Sequence, residues 1–338
     1  MHEAEFYKKS DNLTAACLLC HQACLIKNNS AGVCGVRKNI NGQLFSLTYG
    51  YPAALNVDPI EKKPLFHFLP GSLSYSLGTL GCNFKCLNCQ NWHISQAADI
   101  EKKIKNIDFI EPEKIVSGAL DNACSSISYT YNEPTIFTEY ALEIMKLARQ
   151  NDLKNIWVSN GYMSGLCLEA ISPYLDAINV DLKSMDSEFY KTNCAAKLEP
   201  VLDNLIAIKK AGLHLEITTL IIPELSDDYE MLKKTAEFIT EELGADTPWH
   251  VSKFSPDVAW KLKNTPATPE KIILGAYEIG KSAGLKYVYT GNIPGDEREN
   301  TYCPVCGQLA IRRFGYEIER LDHHGRCLYC DKSLDILE

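Results

Sequence analysis

The residues best suited to chemistry in this sequence are its cysteines, of which there are 14 among 338 residues. Eleven of them form three groups along the chain. The groups are Cys17, Cys20, Cys24 and Cys34; Cys82, Cys86 and Cys89; and Cys303, Cys306, Cys327 and Cys330. Spacings of two or three residues are typical of metal sites in a reducing compartment, and cysteine makes up only about 4% of the chain, well below a disulfide scaffold. The pattern therefore predicts three metal centres.

The middle group lies in the string GTLGCNFKCLNCQNW and has the spacing C-x3-C-x2-C. Three thiolates are one too few for a closed structural zinc site. A four-iron cluster held by three cysteines instead leaves one iron open to a substrate or cofactor. The alternative is a zinc site completed by His93, four residues after Cys89.

The other two groups each offer four thiolates. At the tail, two C-x2-C pairs separated by twenty residues have zinc-ribbon spacing, with iron in a rubredoxin-like site as the rival. At the head, the spacing is C-x2-C-x3-C-x9-C, which leaves zinc and an auxiliary iron–sulfur cluster both open. The remaining cysteines, Cys124, Cys167 and Cys194, are expected to be buried apolar residues.

Between residues 72 and 292, short β-rich runs alternate with amphipathic runs, which predicts βα units and a parallel sheet. Seven strands are predicted at 72–80, 125–131, 154–161, 176–183, 214–223, 249–256 and 285–292. Pro134 and Pro269 suit the first position of a helix, with Thr268 as an N-cap. Because right-handed crossovers curl such a sheet, the expected fold is an α/β, TIM-like partial (β/α)6 barrel. Chemistry should then lie at the carboxyl ends of its strands.

Several polar residues lie on the predicted strands or just beyond their ends. They are Glu133, Asn160, Asp181, Lys183, His250 and Asn292. Glu133 precedes a helix-starting proline and could hold a cationic amine, or it could merely complement the helix dipole. Asp181 and Lys183 are two apart on a strand and so face the same side of the sheet, although an exposed ion pair is the alternative.

These motifs resemble the radical S-adenosylmethionine (SAM) superfamily, whose C-x3-C-x2-C signature follows the first strand of a partial barrel. The resemblance implies a 4Fe-4S cluster on Cys82, Cys86 and Cys89. It also implies that Glu133 in the string YNEP receives the amino group of SAM. The pair in DLK is similar to the Asp-x-Lys of glycyl-radical-enzyme activases, which handles the ribose and carboxylate of the cofactor. Asn160 is a candidate ribose contact, and His250 and Asn292 could face the same cavity.

Longer strings resemble the radical SAM enzymes of the AmmeMemoRadiSam system, which are related to pyruvate formate-lyase activating enzyme. These strings are DPIEKKPLFHFLPGS, CQNWHISQ, YNEP, DLK, PWHVSKF and YTGNIPG. Three departures from the expected patterns are visible: Asn88 replaces an aromatic residue, Lys253 an arginine, and Thr218 an arginine of the activases.

The predicted function is therefore reductive cleavage of SAM to a deoxyadenosyl radical that takes hydrogen from an unidentified small molecule or protein. An electron donor such as flavodoxin or ferredoxin is implied. Two alternatives stay open. One is an activase acting on a protein glycine, and the other is an iron–sulfur or zinc sensor or adaptor without catalytic activity.

Composition limits the remaining possibilities. With 46% hydrophobic and 23% charged residues, the chain has a globular composition, and its net charge of −9 lacks the basic footprint of a nucleic-acid binder. No apolar stretch is long enough for a membrane span and no signal peptide is visible, so a cytoplasmic protein is expected. The expected organisation is a cysteine-rich head at 1–70, the barrel at 71–296 and a zinc-ribbon-like tail at 297–338.

Overall fold

One eight-stranded sheet forms the centre of the computed structural model, which describes residues 1–338. Its strands follow one another in chain order across the sheet. They are β1 (Ala54–Pro59), β2 (Leu73–Gly78), β3 (Ser126–Tyr129), β4 (Lys154–Ser159), β5 (Ala177–Asp181), β6 (His214–Ile221), β7 (Trp249–Lys253) and β8 (Val288–Gly291). Strand β1 pairs antiparallel with β2, and all later neighbours pair in parallel. The sheet is open, because β1 and β8 are its two edges.

Helices follow most of the parallel strands and cover the outer face of the sheet. They are α1 (Trp92–Ser95), α2 (Ile100–Ile104), α3 (Pro112–Asp121), α4 (Thr138–Gln150), α5 (Gly165–Ile171), α6 (Ser187–Phe189), α7 (Glu199–Lys210), α8 (Tyr229–Phe238) and α9 (Glu270–Ser282). Shorter 3-10 turns lie at Ile60–Lys62, Pro134–Phe137, Pro256–Val258 and Glu297–Glu299, and π turns at Tyr190–Cys194 and Ile239–Leu243. None of the helices has the length and hydrophobicity needed to cross a bilayer.

The fold class predicted from the sequence is confirmed, and its physical basis is visible in α4. Tyr140, Ala141, Ile144 and Met145 are fully buried, as their three- and four-residue spacing requires of a helix on a sheet. Strands β2–β8 correspond to the seven predicted strands. The edge strand β1 was not predicted, because most of its residues are exposed or half-buried and carry no apolar alternation. Thr268 is not an N-cap: α9 begins one residue later than expected, and the Thr268 hydroxyl donates to the Ile221 carbonyl at 2.5 Å.

The head and the tail form small antiparallel sheets of their own. In the head, strands His2–Glu3, Arg37–Ile40 and Gln43–Ser46 make one sheet, and Tyr7–Ser10, Thr14–Cys17 and Leu25–Ile26 make another. In the tail, strands Thr301–Tyr302, Leu309–Phe314 and Glu317–Arg320 form a three-stranded sheet, and Asp322–His323 and Arg326–Cys327 form a two-stranded one.

Residues 63–69, here called the inner segment, cross the concave face of the barrel at the amino-terminal half of its strands. The Phe66 and His67 amides donate to the Glu216 carboxylate of β6 at 3.0 and 2.8 Å, and the His67 ring lies 2.6 Å from the Tyr289 hydroxyl of β8. The tail docks on this segment, because Arg313 donates to the Phe66 carbonyl at 2.9 Å. The inner segment therefore joins β6, β8 and the tail inside the barrel.

Candidate active site

A cavity of about 620 Å³ lies at the carboxyl ends of the barrel strands. Its wall includes all of the site residues predicted in the barrel except His250. These are Cys82, Cys86, Cys89, Glu133, Asn160, Asp181, Lys183 and Asn292. A volume of this size is in the range of small-molecule and cofactor sites, which are about 300–1,000 Å³. The parallel order of β2–β8 is what brings together residues that are more than two hundred positions apart in sequence.

The loop after β2 presents the three cysteines to this cavity. Two backbone hydrogen bonds fix it to the π turn Tyr190–Cys194: the Lys85 amide donates to the Cys194 carbonyl at 2.8 Å, and the Leu87 amide donates to the Asn193 carbonyl at 3.0 Å. Gly81 begins the loop with a φ of +90°, and a Cβ there would lie 2.5 Å from the Cys34 carbonyl oxygen. Only glycine satisfies both conditions, so this position fixes how the loop leaves the strand.

The surroundings of the cysteine loop disfavour free thiolates. Burial, together with the charge of Glu133, raises the pKa of Cys82 well above its usual value. Burial also raises the pKa of Cys89. Thiolates held in such surroundings need a bound cation to become stable, which the irons of a cluster would supply. The donor set therefore fits the predicted three-cysteine cluster.

Glu133 is buried at the end of the loop that follows β3, where its carboxylate accepts four hydrogen bonds. Its Oε1 accepts from the Thr135 amide at 3.1 Å, the Thr135 hydroxyl at 2.5 Å and the Ser159 hydroxyl at 2.9 Å. Its Oε2 accepts only from the Asn160 amide, at 2.7 Å. Burial raises the pKa of Glu133 although these donors oppose the rise. The side chain thus caps the turn at Pro134 and also keeps an acceptor position on Oε2 beside the cavity.

Asp181 and Lys183 form an ion pair in the cavity wall, with Lys183 Nζ 2.8 Å from Asp181 Oδ2. Strand β5 ends at Asp181, so Lys183 lies just beyond it. Burial opposes the charge of Lys183, but Asp181 and Cys86 outweigh it and hold the pKa of this ammonium well above its usual value. Lys183 is therefore a permanent cation close to the cysteine loop.

Asn160 and Asn292 also line the cavity, but their side chains already have protein partners. Asn160 Nδ2 donates to Asn83 Oδ1 at 2.8 Å, and its Oδ1 accepts from the Tyr162 amide at 3.0 Å. Asn292 Nδ2 donates to the Lys253 carbonyl at 2.9 Å. Asn160 thus ties the cysteine loop to the end of β4, and its role as a ribose contact stays a prediction.

His250 does not reach the cavity, which corrects its predicted placement. Its ring lies 2.7 Å from Glu216 Oε2 and packs edge-on against Phe66 at 4.7 Å between ring centroids. Although burial opposes ionisation of Glu216, hydrogen bonds from His214 and His250 outweigh it and hold the pKa of this carboxyl well below its usual value. His250 points to the inside of the barrel, but it lies near the amino end of β7, below the cavity. There it packs against the inner segment.

Some residues of the cavity wall were not singled out as site residues in the sequence. Asn179, Thr218 and Ser252 project from β5, β6 and β7, and Lys63 comes from the inner segment. The departures Asn88 and Lys253 lie in the wall as well. Burial lowers the pKa of Lys63 to about 8, even though its ammonium lies 2.5 Å from Asp58. The sequence carried a signal for Asn179 and Thr218, since each is a polar residue close to apolar residues of a predicted strand.

The tail cysteines form a compact group. The four sulfur atoms of Cys303, Cys306, Cys327 and Cys330 lie within 4.8 Å of one another, with pairs at 3.6 and 3.5 Å. A tetrahedral zinc ion with bonds of about 2.3 Å places its sulfurs roughly 3.8 Å apart. The spacing of the four sulfur atoms therefore fits a single metal ion. The single cysteines Cys124, Cys167 and Cys194 are all buried.

Comparison with known proteins agrees with this geometry. The family model of the radical SAM superfamily matches residues 77–239, which contain the three cysteines of the barrel loop, Glu133 and Lys183. The chain belongs to the radical SAM superfamily. It is 44% identical over 340 residues to the uncharacterized protein MJ0808 of Methanocaldococcus jannaschii, and the match covers the whole of both chains.

Two further likenesses are more distant. The pyruvate formate-lyase-activating enzyme of Clostridium pasteurianum is 24% identical over 164 residues, which is 47% of this chain and 66% of that enzyme. The crystal structure of a radical SAM methyltransferase from Sphaerobacter thermophilus has a TM-score of 0.52 at 11% identity, and the match covers 72% of this chain and 71% of that one. The second likeness supports the fold alone.

Proposed function

We propose that this radical SAM protein is an enzyme that binds a 4Fe-4S cluster through Cys82, Cys86 and Cys89 and cleaves SAM in the cavity beside them. One observation carries the proposal. Three cysteines, a buried carboxylate and a partly buried ammonium line a single cavity at the carboxyl ends of the strands. Such a site is far more elaborate than a sensor or adaptor requires, since that function needs a metal but no cavity for a second ligand.

When bound, a reduced cluster supplies one electron to the sulfonium of SAM, whose C–S bond breaks to give methionine and a deoxyadenosyl radical. The chain's own residues bind and orient SAM. Glu133 Oε2 offers the open acceptor position for the ammonium, and Lys183 offers a fixed cation for the carboxylate. Phe84, Phe189 and Phe254 form apolar parts of the same wall and help to exclude water from the reacting centre.

Two finer assignments rest on resemblance. We propose that the protein belongs with the radical SAM enzymes of the AmmeMemoRadiSam system, because the strings that carry that likeness run from Asp58 to Gly295. A glycyl-radical-enzyme activase is the second candidate, supported by the match to a named activating enzyme. The activase would take hydrogen from a protein glycine, whereas the first assignment leaves the substrate open. The electron donor would be a carrier of the flavodoxin or ferredoxin class.

We further propose that the tail group holds zinc and has a structural role. Four thiolates complete a tetrahedral shell and leave no open position for catalysis. The tail nevertheless contributes to the site, because Tyr316 at the tip of its hairpin lines the cavity. Metal binding in the tail would therefore fix one part of the entrance to the cavity.

The test of the proposed function is the electron paramagnetic resonance (EPR) spectrum of the anaerobically reconstituted, reduced protein with and without SAM. We expect a cluster signal that SAM changes, because SAM would bind the iron that no cysteine holds. The control is the variant with all three barrel cysteines replaced by alanine, which should show no SAM-sensitive signal. A wild-type signal that SAM leaves unchanged would contradict the proposal.

A further inference from the structure

The four head cysteines surround a small cavity of their own. Cys17, Cys20, Cys24 and Cys34 all line a space of about 10 Å³, which is room for roughly one water molecule. Four thiolates that close on a zinc ion leave no such room at their centre. Cys17 and Cys34 are buried, whereas Cys20 and Cys24 are partly exposed. The site is therefore enclosed on one side and close to the surface on the other.

The spacing of the head sulfurs differs from that in the tail. Of the two groups of four cysteines, only the tail group has all of its ligand atoms within 4.8 Å of one another, close to the spacing of roughly 3.8 Å around a zinc ion. The head sulfurs are more widely placed around their cavity. A four-iron cluster needs such an arrangement, because each thiolate binds a different iron atom at a corner of the cluster. The geometry of the head therefore favours a cluster over a single ion.

Unsatisfied hydrogen-bond donors line the same cavity. Arg37 is 2% exposed and bonds Glu139 through Nη1 at 2.9 Å, but its Nε and Nη2 have no partner. Asn83 is 1% exposed, and its Nδ2 also has no partner. Both side chains belong to the cavity wall. Buried donors without acceptors are costly, and a cluster with anionic thiolates and sulfides would supply the missing acceptors.

The head cavity adjoins the cysteine loop of the barrel. Asn83, in its wall, directly follows Cys82 in sequence. Gln22, also in the wall, donates to the Asn83 carbonyl at 2.8 Å, and the Cys34 carbonyl lies against Gly81. One residue, Asn83, therefore touches both the head cavity and the loop of the barrel cluster. This contact connects the head cysteines with the cysteine loop of the barrel.

We propose that Cys17, Cys20, Cys24 and Cys34 hold a second iron–sulfur cluster that passes electrons to the barrel cluster. The cluster would accept one electron on its exposed side from a low-potential carrier protein of the flavodoxin or ferredoxin class. It would then be reoxidised by giving that electron to the barrel cluster through the contact at Asn83. The relay step, though not the presence of the second cluster, rests on the function proposed above.

The presence of the cluster is tested in the full chain with the barrel cysteines replaced by alanine. After anaerobic reconstitution, we expect about four irons and four sulfides per chain and an EPR signal on reduction. Zinc or no metal at the head in this variant overturns the proposal.

A second variant, with Cys20 and Cys34 replaced by alanine, keeps the barrel cysteines and so tests the head even if the first variant misfolds. It should lose about half of the wild-type iron and keep the SAM-sensitive signal. Cys124→Ala is the matched control and should keep the full iron content of the wild type. A Cys20/Cys34 variant that also keeps the full iron content overturns the proposal.

The relay is tested by comparing two reductants for SAM cleavage. In the variant lacking Cys20 and Cys34, the ratio of the flavodoxin-driven rate to the dithionite-driven rate should fall to a small part of its wild-type value. An unchanged ratio overturns the relay. Failure of the wild type to cleave SAM even with dithionite would instead contradict the proposed function, while the iron analysis of the head would still stand.

Discussion

Replacing Glu133 by glutamine is the sharpest probe of SAM binding, because the two oxygens of this carboxylate accept different numbers of hydrogen bonds from the protein. A carboxylate has about four acceptor positions, two on each oxygen. Three donors from Thr135 and Ser159 occupy Oε1, and only the Asn160 amide occupies Oε2. The open position on Oε2 is the one available to the ammonium of SAM. Glutamine can keep its oxygen on the Oε1 side only by turning its NH₂ group toward both Asn160 and the ammonium.

The expected loss is that of a charged hydrogen bond, about 1.5–3 kcal/mol, which corresponds to a dissociation constant for SAM raised about 10- to 150-fold. The assay is equilibrium binding of SAM to the anaerobically reconstituted protein, with the iron content measured to show that the cluster is still present. Ser159→Ala is the matched control: it removes one donor from Oε1 but leaves the charge, so affinity should stay close to wild type. Unchanged affinity in Glu133→Gln would refute the assignment and leave Glu133 as a cap for the turn at Pro134.

The same carboxylate predicts a pH dependence. Since burial raises the pKa of Glu133, the ionised form that binds an ammonium is lost at a higher pH than for an ordinary glutamate at 4.5. SAM affinity of the wild type should therefore begin to fall, as the pH is lowered, while the pH is still above 4.5. A pH profile that is flat down to that value would contradict the role of the charge.

Three further predictions follow from other contacts. Lys183→Met should weaken SAM binding about tenfold or more and leave the iron content unchanged, as measured by the same two assays; full affinity would show that its pairing with Asp181 is only structural. Cys303→Ser should lose the zinc of the tail and lower the melting temperature, and zinc analysis that finds the metal retained would refute the ligand set. Burial and Asp296 raise the pKa of Glu299 to about 7, so its ionised form destabilises the fold, and this cost grows as the pH rises from 4.5 to about 7 and is constant above that value. Glu299→Gln should accordingly gain about 1–2 kcal/mol in the free energy of unfolding at pH 8 and almost nothing at pH 4, and an equal gain at both pH values would contradict the shift.

The sequence was sufficient to predict the parallel strands and the location of the cavity. Strands β2–β8 follow each other in the sheet in chain order, so the polar residues at their ends converge without any long-range information. Glu133, Asp181 and Lys183 could therefore be predicted to lie near the cysteines. His250 is the second residue of the predicted strand 249–256, so its position near the amino end of that strand could also be predicted. What could not be predicted was which part of the chain fills that layer of the barrel. His250 faces inward, but the inner segment fills its layer through contacts with Glu216 across about 150 positions of sequence.

The tail shows a second limit of the sequence. Its cysteine spacing predicted a metal site, but not that Arg313 would be buried against the Phe66 carbonyl or that Tyr316 would reach the cavity. Such contacts depend on how a separate module packs, which no local pattern records. The head shows the same limit, since its spacing left zinc and a cluster open, whereas the unpaired donors of Arg37 and Asn83 appear only in three dimensions.

The central claim is that this chain uses Cys82, Cys86 and Cys89 to cleave SAM reductively. The most direct measurement is the release of 5′-deoxyadenosine, quantified by chromatography, from anaerobically reconstituted protein given dithionite and SAM. We predict that the wild type releases 5′-deoxyadenosine and that the variant with alanine at these three positions releases none, because the thiolates are the anchors of the cluster. Release at the same rate by both proteins, or by neither when the wild type carries its full iron content, would contradict the claim.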